Sequence, residues 1–485
     1  MHKKQRQTPL YQKLIHFAQS RHTSFHVPGH KSGGIFPEDF SEIFSDILKI
    51  DVTELEGLDD LHAPSGVIKE AQDLASEWFG SLYTYFLVNG STVGNLAMIL
   101  ATCRPGDQVL VQRNCHKSIL HGIELAGVQP IFLPPMFDAE KQMYTNPSIQ
   151  VMKETLYNYH NARAILLTYP DYFGNTFNLE EVIEIAHHNN ILVLVDEAHG
   201  CHFSLPFIEV PPSAVSLGAD VVVQSAHKMT PALTMAAYLH VQSTAIDQQK
   251  MNYYLQMLQS SSPSYPILAS LDIARYYLAT FSEQKKLSLF AYIEKVITCF
   301  SESDAWVLEK KGPNDDPLKL SLRVNQNVDI QQLKSLFEQE KLYPELITDK
   351  HVLFIFGLEP VIDPSILRKK LVRIQQELKF SDNRATIEIN HNTYYHEKIL
   401  PLAISYADMK RLQAKWSDWE NAIGKIAAEA IIPYPPGIPL IAKGERIEQI
   451  TVEKIKQLFQ QQINFQPSNR QTGLYVYVVD ETRGE

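Results

Sequence analysis

The ten residues ILVLVDEAHG, positions 191–200, decide the fold. An unbroken apolar run rich in Val, Ile and Leu reads as a strand buried on both faces. Such a strand belongs to a parallel sheet covered by helices on both sides. Further short apolar runs flank it: YFLV (85–88), VLV (109–111), IFL (131–133), AILL (164–167), VVV (221–223) and AAYL (236–239). Most of the intervals are long enough for a helix, so the repeat is β-α and the sheet is mostly parallel. The last interval is short, and HKMTPALT fits a return turn, so the final strand is expected to be antiparallel.

Outside this repeat the character of the chain changes. Residues 1–50 read as an N-terminal arm, with short helical pieces around HVPGHKSGG (26–34). Val67, Ala71, Leu74 and Trp78 make one apolar stripe, so a helix begins near Val67. Beyond about residue 245 a helical stretch carries Tyr253, Leu255, Leu258, Leu268 and Leu271. Strand-like runs return at 319–324, 352–356, 386–389 and 475–479, with helical stretches expected at 362–378, 403–430 and 446–461. The hydrophilic GPNDDP (312–317) is a turn. The reading is an arm (1–50), a large α/β domain with a seven-stranded sheet (51–300) and a smaller C-terminal α+β domain (301–485).

Composition narrows the function classes. Of 485 residues, 45% are hydrophobic and 20% charged, which excludes a disordered chain or a small stapled scaffold. The formal charge of -11 repels phosphate backbones and argues against nucleic acid as a partner. Cys103, Cys115, Cys201 and Cys299 show neither a CxxC nor metal-ligand spacing, so neither a disulfide framework nor a metal site is expected. The basic amino terminus lacks the apolar stretch of a secretory signal, and no run is long enough to span a membrane. A cytoplasmic protein is the simplest reading.

In parallel α/β sheets, ligands bind beyond the carboxyl ends of the strands. Four groups fall there. Asn89-Gly90-Ser91-Thr92 precedes a helical VGNLAMILA, and is either a phosphate cradle or an ordinary N-cap. Arg113 to Ser118 contains His116, which either covers a flat ring or sits in a surface turn. Asp196 at the mouth of a buried strand needs a partner, either a pyridinium N–H or a cation, and no Walker-type loop is present to hold a nucleotide. Metal ligation by Asp196, His199 and His202 is the lesser alternative, with His199 otherwise a wall residue. Ser225-Ala226-His227-Lys228 follows VVV, and a lysine there is either solvated or desolvated for covalent attachment. Their order on separate strands is what pyridoxal phosphate needs: an anchored phosphate, a covered ring, a protonated ring nitrogen and an amine for the aldehyde.

The chain resembles the Orn/Lys/Arg decarboxylase major-domain family, most closely its short Gram-positive forms. The matching segments are FHVPGHKSG (25–33), DVTELEGLDDLHAPSGVIKEAQ (51–72), FLVNGST (86–92), RNCHKS (113–118), VDEAHGCHF (195–203), QSAHKMTPALT (224–234) and YPPGIPL (434–440). The resemblance implies a fold-type-I, aspartate-aminotransferase-type architecture: a three-layer α/β/α domain with a smaller C-terminal α+β domain. It implies Lys228 as the Schiff-base lysine, with His227 beside it near cofactor and substrate. Ser91, Thr92 and Ser225 become phosphate ligands, His116 stacks on the ring, Asp196 pairs with the ring nitrogen and Ala198 packs beneath it. The implied reaction is pyridoxal-phosphate-dependent decarboxylation of arginine, lysine or ornithine by a homodimer or higher homo-oligomer. Another fold-type-I activity, or a catalytically silent regulatory relative, is the alternative.

Two positions depart from the family pattern. Met235 stands where relatives carry Gln or a similar polar residue, and Asp171 interrupts a PTYYG-like segment, either meeting a basic substrate end or capping a turn. Glu54, Asp59, Asp60, Asp171 and Glu429 are candidate acids for the substrate's distal cation, and Arg323 is a candidate partner for a carboxylate.

Overall fold

The computed structural model describes residues 3–20, 22–207, 209–380, 399–434, 438–460, 464–468 and 470–478. The apolar runs form β1 (Tyr83–Leu87), β2 (Gln108–Gln112), β3 (Gln129–Leu133), β4 (Ala164–Thr168), β5 (Leu192–Asp196), β6 (Val221–Gln224) and β7 (Ala237–Val241). Every residue of β5, β6 and β7 is buried, which is why no polar alternation appears in their sequences. Among the described residues no helix is long and apolar enough to cross a membrane.

The chain divides into two compact units. The first holds residues 1–102, 179–184 and 192–286. In it the strands run in the order β1-β7-β6-β5. β5 and β6 are parallel, while β7 is antiparallel to both β6 and β1, as the short return turn requires. The helix Gly90–Thr102 closes on these strands. A Cβ on Gly94 would lie 2.7 Å from Val223 Cγ1 and 2.8 Å from Leu87 Cδ1, so only a glycine permits this approach.

The helix Val67–Phe79 is set at both ends by local chemistry. Asp59 Oδ2 accepts the N–H groups of Gly66 (2.7 Å), Ile68 (3.0 Å) and Lys69 (3.2 Å). Burial alone would raise the Asp59 carboxyl, but the backbone N–H groups gathered around it hold it below the ordinary value. Gly80 ends the helix in the left-handed region (φ 74°), its N–H returning to Ser76 O.

The arm is tied down by a buried ion pair. Arg275 Nη2 lies 2.6 Å from Asp272 Oδ1, both side chains fully buried. The guanidinium also donates to Gln5 O (2.6 Å) and Gln7 O (2.5 Å), and Asp272 Oδ2 accepts the Leu10 N–H (3.1 Å). A chain that would otherwise trail from the fold is thereby held through its backbone.

The second unit holds residues 103–178, 185–191 and 287–485. β2 lies parallel between β3 and β4, and the short strand Leu400–Pro401 adds antiparallel to β3. Beyond Ser301 the chain builds a four-stranded sheet, β8 (Trp306–Leu308), β9 (Lys319–Val324), β10 (Leu346–Ile347) and β11 (His351–Ile355), in the order β8-β9-β11-β10. A separate three-stranded sheet joins Ala414–Asp418, Gly473–Tyr477 and Ile426–Ala427, and Ile432–Tyr434 pairs with Asn464–Gln466.

This corrects the expected aspartate-aminotransferase-type layout of one three-layer domain followed by one smaller α+β domain. The C-terminal half makes several small sheets, and part of it returns to hydrogen-bond with β3. Arg113, just past β2, makes a buried bidentate pair with Glu445 (2.5 and 2.8 Å) and donates to Pro439 O and Leu440 O. The expected helix over 403–430 is instead two single turns, Tyr406–Met409 and Trp419–Ala422, between short strands. Asp418 caps the second turn by accepting the Asn421 N–H, and Gly424 (φ 81°) stops it. The expected strand at 386–389 lies outside the described residues.

Asp272→Ala should cost about 3–5 kcal/mol of stability, because Arg275 is left charged in a dry site. A double replacement, Asp272→Ala with Arg275→Met, should cost less than Asp272→Ala alone. Urea denaturation checks both values. Limited proteolysis should show cleavage near residues 5–11 in Asp272→Ala before the rest of the chain opens.

Candidate active site

In the first unit the groups at the strand ends converge. β1 runs out at Val88, whose N–H donates to Gln259 Oε1 (2.9 Å), and Ser260 N–H donates to Asn89 Oδ1 (3.3 Å). Gly90 turns the chain with φ +77°, and open space lies where its Cβ would stand. Its N–H donates to Met235 O (2.8 Å). The helix Gly90–Thr102 then presents the N–H groups of its first turn, which have no partners within the helix. Ser225 Oγ donates to Ser91 Oγ at 2.7 Å, so these two hydroxyls from different elements meet, while Thr92 is exposed beside them. Hydroxyls, first-turn N–H groups and an open glycine together suit a phosphate.

Asp196 ends β5 and is buried. Its Oδ2 accepts Asn95 Nδ2 (2.8 Å) and its Oδ1 accepts the Ala198 N–H (3.2 Å). An ionised carboxylate has about four acceptor positions, so it retains capacity for a ring N–H. Lys228 lies on the short helix Ala226–Met229 after β6, with its side chain exposed and its Nζ 3.1 Å from His199 Nε2. His227 is half-buried. Its Nδ1 faces the Ala236 carbonyl at 3.0 Å, so Nδ1 carries the proton and Nε2 is left as the acceptor. The donor set therefore fits pyridoxal phosphate: hydroxyls for the phosphate, a carboxylate for the ring nitrogen and an amine for the aldehyde.

Met235 shapes the lip of this site. It is 43% exposed and adopts φ +77°, a conformation that side chains other than glycine rarely take. Its carbonyl, rather than its side chain, holds Gly90. Ala198 is buried in the turn after Asp196. His116 belongs to the second unit, where it caps the helix Lys117–Ala126. Its Nδ1 accepts the Ser118 N–H (3.3 Å), and the imidazole is exposed.

The structure also distinguishes the candidate acids. Asp171 caps a turn: Oδ1 accepts the N–H groups of Phe173 and Asn175 (2.9 Å each), and Oδ2 accepts Asn175 Nδ2 (2.8 Å). Burial pushes its carboxyl up to about 6. Glu429 forms a bidentate pair with Arg470 (2.9 Å twice) and accepts the Tyr475 N–H. Asp59 is consumed by its helix, and Asp60 accepts the His62 N–H. Glu54 accepts the Thr53 hydroxyl at 2.5 Å on Oε2 and keeps a buried Oε1 with no partner among the described residues. Arg323 does meet a carboxylate, that of Glu309 (2.6 Å).

Two features escaped the sequence reading. Asn95 is the partner of Asp196; a polar residue inside the apolar VGNLAMILA was its only signal. A buried polar chain runs behind the site. Thr84 Oγ1 lies 2.8 Å from His240 Nδ1, His240 Nε2 3.1 Å from Gln224 Oε1, and Gln224 Nε2 donates to Glu197 Oε2 at 2.5 Å. The Ala214 N–H donates to the other Glu197 oxygen at 2.6 Å. Burial pushes the Glu197 carboxyl up to about 8 against the pull of these donors, and burial lowers His240 to about 3.

Comparison with known proteins bears on this geometry. The family described as Orn/Lys/Arg decarboxylase, major domain, matches residues 8–315, and its C-terminal domain matches residues 391–467. An uncharacterized Bacillus subtilis protein, YaaO, is 44% identical over 98% of this chain and 99% of its own. The arginine decarboxylase of B. subtilis is 35% identical over 94% of each chain. The lysine decarboxylase LdcA of Pseudomonas aeruginosa is 24% identical, over 91% of this chain and 74% of its own. Among solved structures, lysine decarboxylase A from P. aeruginosa superposes with a TM-score of 0.80 at 20% identity, covering 98% of this chain and 81% of that one. The constitutive lysine decarboxylase of Escherichia coli gives 0.79 at 19%, covering 98% and 82%. These likenesses complete the correction of the fold. The reference architecture for the whole chain is that of the lysine decarboxylases, which replaces the aspartate-aminotransferase type.

Asn95→Ala should weaken cofactor binding by about 10- to 150-fold, the worth of one hydrogen bond to a charged group, read as the pyridoxal 5'-phosphate dissociation constant. Glu197 gives a pH signature. Its folded value lies above that of a free carboxyl, so the folded state holds the extra proton and stability falls as pH rises toward about 8. Relative to the parent, Glu197→Gln should therefore gain in urea midpoint between about pH 5 and pH 8.

Proposed function

The chain belongs to the Orn/Lys/Arg decarboxylase family, and on that premise we propose that arginine is the amino acid it decarboxylates. It is a pyridoxal-phosphate-dependent decarboxylase acting on a basic amino acid. Arginine is favoured over lysine and ornithine because the arginine decarboxylases among its relatives are the more similar in sequence. The observation that carries the site is the convergence of Lys228, Asp196 and the Ser91–Ser225 pair at the ends of neighbouring elements in one compact unit.

When bound, the cofactor supplies an electron-withdrawing ring that accepts the electron pair freed as CO2 departs. The chain does the rest. Lys228 supplies the amine for covalent attachment. Ser91, Thr92, Ser225 and the first turn of Gly90–Thr102 would anchor the phosphate, and His116 is the residue that the family pattern assigns to the ring. Asp196, fixed by Asn95 and the Ala198 N–H, keeps the ring nitrogen protonated, and Ala198 lies beneath the ring. His227, with Nδ1 committed to Ala236 O, offers Nε2 to carry a proton to the substrate Cα, and Lys228 is the other donor available there.

The working unit in this reading is a homodimer in the cytoplasm. The arm exposes Phe25, Phe40 and Ile43, apolar side chains that a second copy would cover. Cys103, Cys115, Cys201 and Cys299 are all buried, as suits a reducing compartment.

Lys228→Ala should abolish the borohydride-fixable cofactor linkage and nearly all turnover. A side-by-side assay of arginine, lysine and ornithine, scored by CO2 and the amine formed, should give the highest kcat/KM with arginine. Lysine and ornithine differ by one methylene and should separate by only about 10- to 200-fold. Preference for a neutral amino acid would overturn the basic-substrate reading, and a fully active monomer in light scattering would overturn the dimer.

A further inference from the structure

His199 has no role in the scheme above, yet its Nε2 lies 3.1 Å from the Nζ of Lys228. The two residues follow the neighbouring parallel strands β5 and β6, which aim them at one point. His199 is 6% exposed, whereas Lys228 is open to solvent. The turn that carries His199 is rigid. Gly200 N–H closes it onto Glu197 O at 2.9 Å, and a Cβ on Gly200 would come within 2.5 Å of Glu197 Cγ. When Nζ donates across this contact, Nε2 accepts and the ring proton sits on Nδ1.

A protonated amine has no lone pair for a carbonyl carbon, so the nitrogen that attacks must first give its proton to a neighbouring base. Resting on Lys228 as the attachment residue, we propose that His199 is the base that frees its amine for cofactor loading. The proton moves from Nζ to Nε2, and the amine lone pair forms the carbon–nitrogen bond. The carbonyl oxygen leaves as water, and His199 returns its proton to the nitrogen of the resulting C=N. Protons balance, and no oxidant or reductant is needed. On the elements around His199 in this unit, the titratable groups are Asp196 and Glu197 at the end of β5, Cys201 and His202 in the following turn, and His227 and Lys228 on the short helix. The helix Gly90–Thr102 carries none.

The test is loading of the cofactor-free protein with pyridoxal 5'-phosphate, followed by absorbance in stopped flow across about pH 6–9. His199→Asn keeps an acceptor but cannot carry a proton, and His199→Gln is the second variant should the first not fold. At about pH 7 attachment should slow at least about tenfold, and the deficit should narrow as pH rises. Added imidazole should restore part of the rate in His199→Ala. Parent-like loading at about pH 7, or a slowdown equal at every pH, would overturn the proposal and leave His199 a wall residue. Borohydride fixation followed by peptide mapping separates the two readings. A label absent from Lys228 in the parent protein would sink the attachment assignment itself.

Discussion

A carboxylate at the end of a strand buried along its whole length has to be satisfied locally, and Asp196 is satisfied by a helix. Its bond from Asn95 sets how far the helix Gly90–Thr102 slides along the sheet. Gly94 sets how closely that helix approaches, since Val223 and Leu87 leave no room for a side chain. With both fixed, the start of the helix has one place to be, and Ser91 meets Ser225 there. Ser225 and Asp196 are therefore tied to one helix, the first through Ser91 and the second through Asn95, four residues on. Neither moves without the other.

The second unit follows the same logic with a different pair. Arg113 leaves β2 and finds Glu445 more than three hundred residues later, with Pro439 and Leu440 carbonyls completing its donors. A guanidinium with several satisfied donors tolerates burial where a lone one would not. The pair holds the segment after YPPGIPL against the loop that carries His116, so the C-terminal region reaches back to a strand end laid down early in the chain. The acids of this region are largely spent in the same way, with Asp171 closing its own turn and Glu429 gripping Arg470.

Burial explains what could be read from the sequence. Strands covered on both faces write themselves as apolar runs, so β1 to β7 and the antiparallel return of β7 were legible. Residues at strand ends were legible too, because polar groups directly after VLV or VVV have few reasons to be there. The stretch 403–430 misled because its scattered apolar residues suit a helical period, while Asp418 and Gly424 cut it into single turns. Asn95 was missed because its meaning lies in Asp196, a hundred residues away; His199 was named as a wall residue, but its contact with Lys228 exists only once two strands are side by side. The C-terminal sheets pair distant short segments, and no local pattern announces such pairing.

The tether of the arm differs in kind from these contacts. Arg275 and Asp272 grip carbonyl and amide groups of residues 5–11, which every amino acid supplies, proline's missing N–H aside. The clamp is thus blind to the side chains it holds. Substitutions at the exposed positions of that stretch, Arg6 and Gln7, can accumulate without loosening it, while its two jaws, three residues apart on one helix, are barred from changing singly. A surface built on such an arm can be rewritten over evolutionary time, and its address on the molecule stays the same.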